Sequence, residues 1–310
     1  MEIALLLRES IFINGILNNS EVWYGLTNTE INDFEDLDRL LLRKVLKTPI
    51  STPKEALYLE LGIIPLGVLI KSKRIKYLHY ILSRNESEMI HQFFKTQWYN
   101  PTKGDWTETV RLDLEDFCIP ISLEAIKKHT KEGFKKIVKE KAQEYTLKLL
   151  LNIKSSHSKM QNLEYEEFKI QNYFNQKELS LIEIQNVFRF RTRIIRVGDN
   201  YRGLEDSLLC PLCEIHPDNQ THLFHCNKLK EKISIDGDPT NLYSSEVSTS
   251  IAKLLTRLLK ERESQILGRN TTQEPRQKPE GPSAPSVCCL AHNASTADNY
   301  CNASCALKRI

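Results

Sequence analysis

Three cysteines and a histidine stand close together in the order Cys210-x2-Cys213-x8-His222-x3-Cys226. Thiolates and imidazoles bind borderline metal ions well, and four of them complete a tetrahedron. Two cysteines three positions apart let one tight turn, suited by Pro211, aim both sulfurs at a single ion. His222 and Cys226 are four apart, so a short helix sets them on one face. Zn2+ is the expected ion, and with no coordination position left for water the expected role is structural. His216 and His225 compete for the nitrogen position. The first follows Cys213 too closely and the second adjoins Cys226, which leaves His222 preferred. The bland alternative is a set of reduced thiols in a helical core. Cys288, Cys289, His292, Cys301 and Cys305 form a second group. Their irregular spacing in polar sequence reads as fortuitous.

Other chemistry is thinly represented. The chain has no Gly-rich phosphate loop, HExxH or Ser nucleophile elbow, and no adjacent aspartates of the kind that hold two Mg2+ ions. Carboxylate pairs such as Glu35-Asp36 and Glu115-Asp116 lie in amphipathic helical sequence and read as solvated or capping groups. Nothing points to a catalytic residue or a small-molecule substrate. Positive charge is the remaining signal. Arg189, Arg193 and Arg196 recur at i, i+4 and i+7, and Lys71, Lys73, Arg74 and Lys76 crowd one predicted helix. Such cations contact phosphates with little sequence preference. Phe188 and Tyr201 are candidates for base stacking, with core packing the alternative for each.

The elements that must position these residues read as helices throughout, giving an all-α fold of many helices with a small Cys-Cys-His-Cys knuckle. Thr27 with Glu30 forms a capping-box pattern ahead of Ile31, Phe34, Leu37, Leu41 and Val45, and Pro49 ends that helix. Thr52, Pro53 and Glu55 repeat the start signal, and Gly62 marks a stop. Beyond Pro65 a longer helix turns Leu69, Ile75, Leu78 and Leu82 inward. Asn85 and Glu88 open the next, and Asp105 caps one beginning at Trp106. From Ser122 to about Lys159 the pattern is helical and basic, with ten lysines after Ile126 against Glu132, Glu140 and Glu144; a solvated face is the simplest reading. A helix from about Lys177 to Arg196 is expected to bury Ile182, Val187, Phe190 and Ile194. Ile251, Leu254, Leu255, Leu258 and Leu259 mark a last amphipathic helix.

These signals divide the 310 residues into an N-terminal helical segment (1–26), a helical region (27–200), the knuckle (201–232), a terminal helix region (233–267) and a tail (268–310). The tail carries too little apolar sequence to offset the chain entropy of about 1–2 kcal/mol per residue and is expected to be disordered. Composition is that of an ordinary globular protein, 40% hydrophobic and 27% charged with a formal charge of +3. No apolar run approaches the roughly 20 residues of a membrane span, and the N-terminus does not read as a secretory signal, so the expected location is intracellular, nucleus or cytoplasm.

Several segments resemble, in content and in order, the region after the polymerase domain of non-LTR (LINE-type) retrotransposon reverse transcriptases. They are Ser20-Glu-Val-Trp-Tyr-Gly25, Leu40-Leu-Leu-Arg-Lys-Val-Leu46, and Thr52-Pro-Lys-Glu-Ala-Leu57 leading to Glu60-Leu-Gly-Ile-Ile-Pro65. The stretch Arg189 to Cys226, an arginine-bearing helix followed by a knuckle, is similar to the zinc module near the end of such proteins. The resemblance spans about residues 10–230 and implies a protein that handles RNA, DNA or both beside other element-encoded protein. The fingers, the palm and its catalytic aspartates have no counterpart, so polymerase activity does not carry over. The expected function is a non-catalytic nucleic-acid-binding fragment with a structural zinc site. The alternatives are a helical module that docks proteins, with 251–259 as the docking stripe, and a decayed reading frame without activity.

Overall fold

Among the described residues, five helix starts fall where a short side chain accepts a free amide of the first turn: Thr27, Asp105, Ser122, Thr130 and Ser180. A computed structural model describes residues 2–201 and 209–272, and the tail cysteines and most of 268–310 lie outside them. Helix α1 (Glu2–Leu7) continues through a π-helical turn (Arg8–Ile13) into the short α2 (Asn14–Ile16). Helix α3 (Asn28–Leu46) opens on a reciprocal capping box, Thr27 accepting from the Glu30 amide while Glu30 accepts from the Thr27 amide at 2.8 Å. Helices α4 (Lys54–Leu61), α5 (Leu66–Ser83), α6 (Met89–Tyr99) and α7 (Trp106–Asp116) follow, the last capped by Asp105. Then come α8 (Leu123–Lys128), α9 (Lys131–Lys154), α10 (Leu181–Arg191), the single turns α11 (His222–His225) and α12 (Asn227–Lys230), and α13 (Thr249–Thr272). The fold is all-α, and no strand occurs among the described residues. No described helix is long and apolar enough to cross a membrane.

Two main cores lie in the compact unit formed by residues 1–270. One, built from Val68 to Ala142, packs α5, α6, α7 and α8 against the first half of α9. The other runs from Leu42 to Leu258 and joins the end of α3, α4, α10 and α13 to the knuckle, with Cys210 and Cys226 among its buried members. Gly62 closes α4 in the left-handed conformation (φ +60°). A Cβ there would lie 2.3 Å from the Ile170 amide nitrogen, so only glycine lets the 169–171 backbone approach. That approach places the Gln171 amide 2.9 Å from the Glu60 carbonyl.

Several sequence expectations are corrected. Pro53, not Thr52, stands at the start of α4; Thr52 donates its hydroxyl to the Pro49 carbonyl at 2.7 Å, and Glu55 is buried beside His157 Nε2 at 3.3 Å instead of reaching back to cap. The basic stretch after Ser122 is two helices, since His129 and Thr130 are extended and Thr130 caps α9. Helix α10 is shorter than expected at both ends. Ser180 and Glu183 form its capping box, and Ile182 is exposed. At its far end the Ile194 amide donates to the Arg189 carbonyl (2.9 Å) and the Arg193 amide to the Phe190 carbonyl (3.1 Å), with Arg193 left-handed at φ +51°. This is a Schellman stop with arginine in the place glycine usually takes. The 251–259 stripe is core: Ile251, Leu254, Leu255 and Leu258 are all buried.

Candidate metal centre and basic face

Backbone geometry builds the knuckle before any ion is considered. Leu209 and Pro217 bridge the neck of a loop in antiparallel fashion. Inside it, the Cys210 amide donates to the His216 carbonyl and the Glu214 amide to the Cys210 carbonyl, both at 2.8 Å. Glu214 takes φ +57°, which folds the loop back so that successive amides face the sulfurs. On the other side, Asn219 accepts from the His222 amide at 2.8 Å and starts the single turn α11, and the Cys226 amide donates to the His222 carbonyl at 2.8 Å. His222 and Cys226 therefore sit one turn apart on one face.

The four ligand atoms all lie within 4.8 Å of one another. Cys210 Sγ is 3.9 Å from Cys226 Sγ, and Cys213 Sγ is 3.3 Å from His222 Nε2. A tetrahedral ion with metal–sulfur bonds of about 2.3 Å and a metal–nitrogen bond of about 2.0 Å requires sulfurs about 3.8 Å apart and a sulfur–nitrogen separation of about 3.5 Å. The cluster fits a metal ion on those distances. His225 instead turns Nδ1 to the Thr221 carbonyl at 3.0 Å, and His216 is exposed.

The electrostatics of the donors match. Burial, seconded by the neighbouring sulfurs, pushes the Cys210 thiol up to about 11. Burial acts the same way on Cys213, but the amides of Ile215 and His216 outweigh it and hold that thiol below its ordinary value. Burial and then His216 lower His222, favouring the neutral imidazole that a metal needs. A cation would relieve the crowding of sulfurs that this arrangement imposes.

The knuckle is bolted to the rest of the unit by arginines. Arg262 of α13 forks onto Asp218 with two 2.8 Å bonds, and Asp218 also accepts from the Gly198 amide at 2.7 Å. Arg269 donates to the carbonyls of Pro211 and Leu212, at 2.5 and 2.8 Å, so the end of α13 caps the Cys210–Cys213 turn. Comparison of the chain with known protein families, curated proteins and solved structures finds no match.

The expected arginine stripe does not form, because α10 ends before Arg193 and Arg196. Arg189 donates to the Lys47 carbonyl at 2.5 Å and caps α3, Arg193 engages the Tyr243 hydroxyl, and Arg196 is exposed beyond the helix. On α5, Arg74 is buried and clamped by Asp113 at 2.6 and 3.0 Å, and Lys71 pairs with Asp116. Lys73 donates to the Leu17 carbonyl at 2.5 Å. Lys76 differs: burial first, then Lys135, Lys73 and Lys139, push its ammonium below lysine's ordinary value. Four lysines thus converge where α5 meets α9. Phe188 is wholly buried, which excludes it from stacking, and the side chain of Tyr201 lies outside the described residues.

Sequence reasoning passed over Arg191, which is fully buried and binds both Glu60 oxygens at 2.9 and 3.0 Å. Tyr165 and Tyr173 donate to the same carboxylate at 2.6 and 2.7 Å. The available signal was Glu60 itself, a lone carboxylate in the apolar run Ala56 to Leu61. A charge in such a run needs a buried partner.

Proposed function

We propose that this chain is a zinc-stapled, non-catalytic helical module that binds RNA or DNA, of the kind that follows the polymerase domain in non-LTR reverse transcriptases. Three sulfurs and one nitrogen in a closed set of four favour zinc over magnesium or calcium, which prefer oxygen, and leave no site for a reacting water. The zinc centre holds the C-terminal core, and nucleic acid is gripped elsewhere. The observation that carries the reading is that Lys76 of α5 and Lys131 and Lys135 of α9 line one cavity, with Lys73 and Lys139 close enough to help lower the Lys76 ammonium after burial has done so. Like charges held together cost folding energy that a polyanion returns on binding. Of the seven cations expected at the contact this keeps Lys73 and Lys76, sets aside Arg189, Arg193, Arg196, Lys71 and Arg74, and adds the lysines of α9.

The test is binding of a labelled single-stranded RNA, and of DNA of the same sequence, by the zinc-loaded chain across a salt series. Affinity should fall as salt rises, with a log–log slope of about −0.7 for each phosphate neutralised. The double variant Lys135→Glu, Lys139→Glu should weaken binding to every sequence alike and flatten the slope by about 0.7 per lost contact. Unchanged binding in that variant sinks the reading.

A second reading, a protein-docking module, has its own observation: Ile3, Leu6, Leu7 and Ile11 are exposed together along the first helical segment. A partner protein recovered after nuclease treatment, and lost with Leu6→Glu, Ile11→Glu, supports it.

A further inference from the structure

Beside the lysine cluster, α5 and α9 enclose a cavity of about 260 Å³. Its walls follow from helical spacing. Lys76, His79, Tyr80 and Ser83 occupy one face of α5, and Lys131, Phe134 and Lys135 occupy one face of the first turns of α9, with Arg84 completing the rim. The floor is closed: Phe134 and His79 are buried and stacked at 4.8 Å, and His79 Nε2 is fixed against the His129 carbonyl at 2.9 Å. The rim is cationic, with Arg84, Lys131 and Lys135 exposed and Lys76 half-buried. Lys76, Arg84, Lys131 and Lys135 all line the cavity and no carboxylate does.

We infer that this cavity is a phosphate-oxyanion site, the seat of one phosphate group of a bound nucleic acid. Its volume lies just below the roughly 300–1,000 Å³ of pockets that enclose whole small molecules, and its four cations without a carboxylate suit a compact anion. The 24-residue helix α9 begins at its edge and brings the positive end of its dipole there. The opposing C-terminal carbonyls of α5 are already occupied, Tyr80 by the Ser83 hydroxyl (2.7 Å) and Ile81 by the Arg84 amide (3.1 Å). Two rim cations have carboxylate partners outside the cavity, Arg84 with Glu88 (3.0 Å) and Lys135 with Glu132 (2.9 Å). Exposed pairs of this kind are weak and yield readily to a phosphate. The inference rests on the nucleic-acid reading above for the source of the phosphate, and on the cavity alone for the chemistry.

Titration calorimetry of the full zinc-loaded chain with inorganic phosphate tests it, alongside RNA binding with and without added phosphate. Saturable phosphate binding is expected, at least tenfold weaker in Lys76→Met and weakened in Lys135→Gln, with Lys148→Gln, an exposed lysine elsewhere on α9, unchanged. Lys76→Met keeps the side-chain stem and removes a crowded charge, and Lys135→Gln lies on the exposed rim, so one variant guards the other against loss of folding. Phosphate that also competes with RNA supports the cavity as the seat of a nucleic-acid phosphate. Phosphate binding that depends on Lys76 in a chain that binds no RNA supports the oxyanion site and overturns its nucleic-acid source. Absence of phosphate binding dependent on Lys76 and Lys135 overturns the site, whatever the chain does with RNA.

Discussion

In the core behind the cysteine–histidine cluster two arginines are turned inward, whereas along α9 lysines are turned out. Arg191 and Arg262 are buried: Arg191 shares its Nε–H between the two oxygens of Glu60, and Arg262 forks onto Asp218 with both Nη groups. Lys131, Lys135 and Lys139 are exposed. The division follows the chemistry of the two groups. A guanidinium is planar, weakly hydrated and matched to a carboxylate, so it survives desolvation when both oxygens are engaged; an ammonium is strongly hydrated and stays at the surface. Helix α5 repeats the pattern within three residues, with Arg74 clamped inside by Asp113 and Lys76 left facing the cavity. Abundant basic residues are thus two populations, one that holds the fold and one available to a ligand.

The largest effect should come from removing the metal. Structural zinc contributes on the order of 10 kcal/mol to small metal-folded domains, so a chelator, or Cys226→Ala, should abolish amide-exchange protection across 209–233 while the Val68–Ala142 core keeps its own. One equivalent of zinc by mass spectrometry, falling in Cys213→Ser, identifies the ion; protection that persists in the metal-free chain defeats the assignment. Next in size, Arg191→Met strands Glu60 without its counter-charge and should cost about 3–5 kcal/mol in urea unfolding. Lys139→Met, its counterpart on the outward population, should stay within about 0.5 kcal/mol. Similar losses for the two would erase the distinction. The smallest effect is expected for Arg196→Gln, which should leave RNA affinity within about twofold, since Arg196 lies beyond α10 and away from the lysine cluster. A large loss would restore the region after α10 as the contact surface.

Much of this was legible in the residues. Thr27 with Glu30, Asp105 and Gly62 act locally, through one side chain or one backbone conformation, and their positions in the fold follow directly from type and spacing. The metal cluster is legible for the same reason, since Cys210, Cys213, His222 and Cys226 fall within one short loop and one turn. The arginines failed because their roles are set at long range. Nothing in Phe188-Arg-Phe-Arg191 says that its second arginine meets Glu60. Nor does a helical period reveal that Thr192 and Arg193 break it, when arginine takes the conformation that glycine would have advertised. The lysine cavity was half visible: Lys76 was in view, but its convergence with Lys131 and Lys135 depends on how α5 packs on α9.

The Glu60–Arg191 pair spans 131 residues of chain. During synthesis at about 5–20 residues per second, Glu60 waits on the order of ten seconds for its partner to emerge. Throughout that interval the carboxylate must remain hydrated, so α4 cannot settle into its final environment. The Val68–Ala142 core draws only on neighbouring helices and needs nothing from Arg191 onward. The long-range pair therefore ties the final setting of α4 to the synthesis of α10, the helix that directly precedes the cysteine–histidine segment.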